Sequence, residues 1–152
     1  MRRHDKEITD RAAIDSIIER ALVFRLGLSS DDQPYIVPLC FGYEDGALYA
    51  HSAPEGRKLD VLRANDAVCV EFDVDHQLIA GEHACAWGMK YRSVIGFGRA
   101  VLVDSVEAKR EACAIIMRHY SDRRFEVPDE ELARITIIKV EIETLTGKQS
   151  GY

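Results

Sequence analysis

The sequence predicts a mainly β domain, an antiparallel barrel with helices at its periphery. Three observations carry this. Alternating runs are joined by tight turns, the clearest being Glu44-Asp45-Gly46 between 35–43 and 47–52. The long β stretch from Cys85 to Val103 contains Gly88, Gly96 and Gly98, which let a strand bend or bulge as barrel closure requires. Helical patterns are few and do not alternate regularly with strands, which counts against a parallel α/β sheet. At 152 residues the chain is read as one domain.

Taken in order, residues 1 to 8 read as a mobile polar arm. Thr9 or Asp10 caps a helix over Arg11 to Ala21, where Ala13, Ile14, Ile17, Ile18 and Ala21 share one face. Leu22 to Leu28 suits a strand, Ser29 to Pro34 a turn, and Tyr35 to Tyr43 a second strand. Pro38 cannot donate to a ladder, so that strand lies at an edge, at a bulge or where the sheet opens. Ala47 to Ser52 returns from the hairpin. A short helix follows from 57 to 64, then a strand over Ala67 to Val74 and a loop over 75 to 84. Ser105 caps a helix from Val106 to Tyr120, and Val127 to Leu132 starts a helical turn. The last strand, Ile135 to Leu145, changes phase at Ile137-Ile138, which suggests a bulge there; Lys148 is expected past the sheet.

The formal net charge of −6 counts against nucleic acid or an anionic membrane as partner. No apolar run is long enough to span a bilayer, and the charged start does not read as a secretory signal. Cys40, Cys69, Cys85 and Cys113 form no C-x-x-C pair and read as reduced thiols, which implies a cytoplasmic protein. His76, His83 and Cys85 match no metal-site spacing, so no metal is expected. Nucleophile elbow, P-loop and dinucleotide fingerprints are absent.

Basic residues in an acidic chain are then judged locally. The stretch Tyr49 to Lys58 leaves a strand, turns at Pro54 and Gly56 and enters a helix with Arg57 and Lys58 in its first turn. Cations there oppose the helix dipole, and a bound phosphate would favour them. Lys90, Tyr91, Arg92 and Ser93 interrupt an otherwise apolar strand with two cations and two hydroxyls. Trp87 reads more readily as a core residue than as a stacking platform, and His51 as either a structural histidine or a ligand to a substrate.

The pattern Pro38-x-x-Phe41-x-Tyr43 followed by Leu48-Tyr49-x-His51-x-Ala53-x-x-Gly56-x-Lys58 resembles the FMN-binding split-barrel proteins related to pyridoxamine 5′-phosphate oxidase. Among these it is most similar to the 5-nitroimidazole resistance (Nim) proteins. The Met1-Arg2-Arg3 start, the run from Tyr91 to Ala100 and Thr146-Gly147-Lys148 look like the same group. The resemblance implies a six-stranded split barrel and a homodimer with FMN at the subunit interface. It implies that Arg57, Lys58, Arg92 and Ser93 hold the FMN phosphate. The ring would lie against the backbone of Val37, Pro38, Leu39 and Cys40 and of Ala50, His51 and Ser52. His51 matches the Nim-like histidine and would orient or protonate a small nitroaromatic substrate, with electrons from an unidentified donor or NAD(P)H. No C-terminal Arg/His motif of the pyridoxamine phosphate oxidases is found, which counts against a vitamin B6 substrate. The acidic balance counts against a polyanionic deazaflavin. Another flavin reductase, or a non-catalytic FMN- or haem-binding protein, is the alternative.

Overall fold

The structure, a computed structural model, describes residues 3–152. Its elements are β1 (Glu7–Ile8), α1 (Arg11–Arg20), β2 (Phe24–Ser30), β3 (Gln33–Leu39), β4 (Gly42–Glu44), β5 (Ala47–Ser52), α2 (Arg57–Ala64), β6 (Ala67–Ile79), β7 (Gly88–Val103), α3 (Val106–Tyr120), α4 (Asp129–Leu132) and β8 (Thr136–Ser150). Asp10 caps α1 by accepting from the backbone N–H groups of Ala12 and Ala13, both at 3.3 Å. Ser105 caps α3 through the Ala108 N–H at 3.2 Å. The capped helices bury the faces their periodicity marks: Ile14, Ile17 and Ile18 on α1, and Ala112, Cys113, Ile115 and Ile116 on α3.

All strand pairs are antiparallel, in the order β3-β2-β6-β7-β8-β5-β4, with β1 added on β8. The two ends of this path, β3 and β4, are consecutive in the chain, separated only by Cys40 and Phe41. Two residues bridge no more than about 11 Å. The sheet must therefore curl until its ends meet, and it forms a barrel. Six longer strands build the wall; β1 and β4 are two- and three-residue additions. The count is thus eight rather than six. Phe24, Phe41 and Phe72, fully buried with ring centroids 5.3–5.9 Å apart, fill the barrel near this join. A second cluster, Ala112, Cys113, Ile116, Leu132 and Ile137, lies between the outside of the barrel and α3 and α4.

Several boundaries differ from expectation for physical reasons. The expected strand over 35–43 breaks after Leu39, because Phe41 turns into the core. Pro38 sits on the edge strand, opposite Arg25. The turn before β3 is confined to Asp31 and Asp32, both at positive φ. Residues 75–79 are not loop: past a bulge between Val74 and Gln77, with Asp75 at φ 59°, pairing with β7 resumes. Ala84–Ala86 form a 3₁₀ turn, so β7 starts at Gly88, and Trp87 is exposed rather than in the core. Ile137 and Ile138 are both buried because both faces of β8 are covered there. Ile138 faces the barrel interior and Ile137 faces α3. The bulge in β8 lies instead at Glu143, between the pairs Phe97–Thr144 and Gly98–Ile142. Lys148 is inside the sheet, opposite Ser93 and Glu7. The expected mobile arm is in part the strand β1; its residues Met1 and Arg2, which open the resemblance, lie outside the described residues.

A Cβ at Gly42 would sit 2.6 Å from the Ile115 carbonyl and the Ile116 nitrogen, so α3 packs directly on the start of β4. Gly42→Ala is expected to cost about 1–3 kcal/mol, read as a lower urea midpoint. Gly88→Ala, whose Cβ would meet only Ile79 Cδ1 at 3.9 Å, is the control expected to leave the midpoint nearly unchanged.

Candidate functional site: the split between two sheet edges

Pairing of β4 with β5 runs Glu44–Ala47, Tyr43–Leu48 and Gly42–Tyr49, and stops. Continued by register, it would set Cys40 opposite His51 and Leu39 opposite Ser52. Instead β3 pairs only with β2, and β5 beyond Tyr49 pairs only with β8. The strand ends 37–40 and 50–52 are therefore the two lips of a split, each with one side free of a ladder partner.

The pleat decides what each lip offers. Val37 and Leu39 pack inward against the core, while Pro38 and Cys40 are exposed. Ala50 and Ser52 are buried, with Ser52 Oγ donating to the Ala53 carbonyl at 2.9 Å; His51 faces outward and is exposed. Four of the seven side chains are thus committed to the interior. A ligand at the lips meets backbone N–H and C=O groups, with His51 and Cys40 as the polar side chains beside them.

The lip at Cys40–Phe41 is held from outside by the last turn of α3. The Tyr120 hydroxyl accepts from the Phe41 N–H at 2.9 Å and donates to the Leu22 carbonyl at 2.8 Å. His119 Nε2 donates to the Ala21 carbonyl at 2.7 Å, and its ring lies 4.3 Å from that of Phe41. Burial, with the Cys40 thiol adding to it against the opposing Phe41 N–H, pushes the Tyr120 phenol up to about 12. Sequence reasoning missed Tyr120, which reads only as the end of an amphipathic helix.

The start of α2 approaches β3. Gly56, at φ 129°, supplies no side-chain cap, and the first N–H groups have no intrahelical acceptor. Leu59 and Leu62 anchor the helix in the core. The Arg57 guanidinium stacks 4.6 Å from the centroid of Tyr35, while Lys58 is half-buried. Among the described residues neither cation has a carboxylate within ion-pair distance, in contrast to Arg20, Arg25, Arg92 and Arg99.

Arg92 and Ser93 are elsewhere. Arg92 and Arg20 each donate to Asp75 at 2.6 Å, which holds that carboxyl below its usual range, the Arg20 hydrogen bond first and Arg92 second. The Tyr152 ring covers Arg92 at 3.9 Å, and its hydroxyl donates to the Asp75 carbonyl at 2.6 Å. Ser93 faces outward on β7 between Asp73 and Lys148. Tyr35 pairs with Leu28, one residue beyond Gly27, whose row continues through Cys69 to Phe97. Arg92 pairs with Val74. Arg57 and Arg92 are thus about six residues, roughly 20 Å, apart along the strands. One chain brings Arg57 and Lys58 to the β3 lip and leaves Arg92 and Ser93 far from them.

Other features do not converge on the lips. A cavity of about 590 Å³ beside α3 is lined by Met117, Arg118 and residues 121–125, and mixes Asp122 with its arginines. His76 bonds Asp73 at 2.8 Å, and among the described residues no group of three or more His, Cys, Asp or Glu side chains could share a metal ion. No helix among them is long and apolar enough to cross a membrane.

Residues 10–149, nearly the whole chain and both lips, match the family model described as pyridoxamine 5′-phosphate oxidase. The chain belongs to the pyridoxamine 5′-phosphate oxidase family. Within this family's fold, it is similar to the crystal structure of a candidate 5-nitroimidazole antibiotic resistance protein of Bacteroides thetaiotaomicron. That match has 36% identity and a TM-score of 0.85, over 94% of this chain and 86% of the other. The flavocytochrome Anf3 of Azotobacter vinelandii (20% identity, TM-score 0.86, 100% of this chain and 72% of the other) shares the fold. So does an FAD- and haem-binding protein of Mycobacterium smegmatis (19% identity, TM-score 0.84, 97% and 74%). An uncharacterized protein of Rhizobium meliloti is 33% identical over 64 residues; the match spans 42% of each chain, so less than half of that relative.

Tyr120→Phe removes both hydroxyl bonds and leaves the Phe41 N–H unpaired. It is expected to destabilise by about 1–3 kcal/mol, read by denaturant unfolding. The raised phenol favours the folded state fully below the ordinary tyrosine range and progressively less as pH rises toward about 12. The alkaline loss of stability is therefore expected to be smaller in Tyr120→Phe than in the parent protein.

Proposed function

We propose that this protein is an FMN-dependent reductase of small nitroaromatic compounds, Nim-like in substrate class, working as a homodimer. The observation that carries the reading is the pair of unladdered lips with two uncompensated cations at the nearby helix start. A planar, polar-edged ring fits along the unladdered edges 37–40 and 50–52, at the exposed Pro38, Cys40 and His51. A phosphate fits Arg57, Lys58 and the open N–H groups of α2. The residues present therefore fit FMN. The similarity to the Bacteroides protein over nearly the full chain supports the nitroimidazole class.

When bound, FMN would supply electron pairs, replenished by a nicotinamide or other reductant. The nitro group takes up these electrons with protons, loses its oxygens as water and ends as the amine. The protein's contribution is local. The lips orient the ring and the substrate, Arg57 and Lys58 fix the anionic end, and the exposed His51 donates a hydrogen bond or a proton to the substrate.

The separation of the four residues assigned to the phosphate is what supports the homodimer in this reading. The outward face of β7 carries Ile95 and Phe97, both exposed. A two-fold axis through Ile95, with the two β7 strands antiparallel across it, carries the outward-facing Ser93 of a second copy to the level of Phe97, and Arg92, whose side chain leaves the other face of the strand, to the level of Gly98. That is the level of Leu28 and Tyr35, where Arg57 sits. Four residues that cannot meet in one chain could then meet between two.

Arg57→Ala, Lys58→Ala and Arg92→Ala are each expected to weaken FMN binding roughly ten- to hundredfold, the loss of a charge-assisted contact of about 1.5–3 kcal/mol, measured by quenching of flavin fluorescence. Affinities unchanged in all three would remove the phosphate assignment. His51→Ala is expected to bind FMN normally and to turn over a 5-nitroimidazole slowly; full turnover would take His51 out of the chemistry.

A further inference from the structure

The exposed side of α3 carries two cavities. One, of about 590 Å³, lies between the last turns of the helix and residues 121–125. The other, of about 550 Å³, is lined by Arg110 and residues 125–129 and meets the first at Ala114 and Phe125. Both have the size of small-molecule sites. Cations dominate the first: Arg118, Arg123 and Arg124 stand against Asp122 alone, in a chain of net charge −6. Arg118 is paired with Glu44, and Arg110 with Asp129. Among the described residues, Arg123 and Arg124 have no carboxylate within ion-pair distance, in contrast to those two. The negative end of α3 accounts for Arg118 and His119, which lie in its last turn. That effect falls off within one turn, so it does not account for a pair of arginines beyond the Ser121 cap.

The pair is presented beside an aromatic ring. Ser121 Oγ accepts from the Arg123 N–H at 3.2 Å, which fixes the turn. The Arg123 guanidinium lies 5.3 Å from the centroid of Phe125, whose ring is 43% exposed. Adjacent guanidinium forks suit a phosphate dianion, and an exposed ring face suits a flat base. Asp122 can accept from a ribose hydroxyl. A phosphorylated adenosine uses all of these groups; a bare anion would leave Phe125 in water. Met117, Arg118 and Ser121 lie within one turn of Tyr120, whose hydroxyl holds the Phe41 N–H at the lip. At the far end of the segment, Val127 packs on the cluster over Ile137, the residue paired with His51. Residues 121–127 therefore run between the two sides of the split, and a long ligand anchored in the cavity can extend its free end toward it.

We propose that this cavity binds the adenosine end of a nicotinamide dinucleotide, with Arg123 and Arg124 on its 2′-phosphate, so that the reductant is NADPH rather than NADH. Arginine beside the adenosine ribose is how a protein accommodates that phosphate. Each donor delivers a hydride to the flavin and leaves as the oxidised pyridinium. Repeated deliveries, with protons from solvent, take a nitro group to the amine and water. The inference rests on the flavin reading above.

Two measurements test it. Calorimetric titration of the FMN-free protein with 2′,5′-ADP reads the cavity without turnover. Binding is expected in the parent protein, roughly tenfold weaker for 5′-AMP and roughly tenfold weaker in R123A/R124A. Lys58→Ala is expected to leave it unchanged, because the FMN phosphate site is elsewhere. No binding in the parent, equal affinity for 5′-AMP, or a loss in Lys58→Ala would overturn the proposal. In the FMN-loaded protein, stopped-flow reduction of the flavin reads the donor itself. Half-saturation is expected at roughly tenfold lower NADPH than NADH, with the preference lost in R123A/R124A. Reoxidation of that dithionite-reduced variant by metronidazole is expected at the parental rate. A preference for NADPH that survives in R123A/R124A would overturn the proposal. A parent protein that binds 2′,5′-ADP and not FMN would instead remove the reading beneath it.

Discussion

The structure depends on a topological constraint: the two ends of its sheet are joined by two residues. Cys40 and Phe41 connect β3 to β4, the first and last strands of the hydrogen-bonded path. Closure follows from chain length alone, and so does its incompleteness. Phe41 turns inward to join Phe24 and Phe72, which takes the backbone out of the plane needed to pair Leu39 and Cys40 with β5. The barrel is shut by its core and left open at its hydrogen bonds. Such an opening is costly unless the freed groups find partners. Tyr120 satisfies one of them, the Phe41 N–H. The rest lie along the split between the two edges, the place a ligand would use them.

Around that opening the pleat separates structural from chemical work. Inward residues of both lips are apolar or self-satisfied, and outward residues are exposed, with Cys40 and His51 the polar ones. The charges divide similarly. Arg20, Arg25, Arg92 and Arg99 are compensated by carboxylates of neighbouring strands, as expected of a stable surface in a chain of net charge −6. Arg57 and Lys58 have no such carboxylate among the described residues, at a helix start that lacks a side-chain cap and lies beside the open strand. Positive charge there is unfavourable in the isolated chain, which makes an anion the natural complement.

Much of this was legible in the sequence because it is written in local patterns. The caps Asp10 and Ser105, the Glu44-Asp45-Gly46 turn, the amphipathic faces of α1 and α3 and the edge role of Pro38 each depend on residues within one turn or one strand. The misses were non-local. Ile137 and Ile138 looked like a bulge because alternation assumes one buried face, and α3 covers the other. Residues 75–79 looked like loop because a strand continuing past a bulge carries no period of its own. Trp87 was expected in the core because an indole is usually buried; it falls instead between the 3₁₀ turn and the start of β7, where it is exposed. Arg92 and Ser93 were grouped with Arg57 and Lys58 as residue types that suit a phosphate, but one sequence cannot say that they lie about 20 Å from Arg57 in their own chain. Tyr120 was invisible because its role is set by a contact 79 residues away.

The central claim is that the lips at 37–40 and 50–52 are a ligand-binding edge. Amide hydrogen exchange with and without FMN tests it most directly, since it reads those backbone groups themselves. The account predicts slowed exchange on FMN binding in 37–40, 50–52 and 56–59, with α3 and the core strands unchanged. Binding that leaves these amides untouched and protects residues 117–125 instead would place the ligand in the cavity beside α3 and contradict the account.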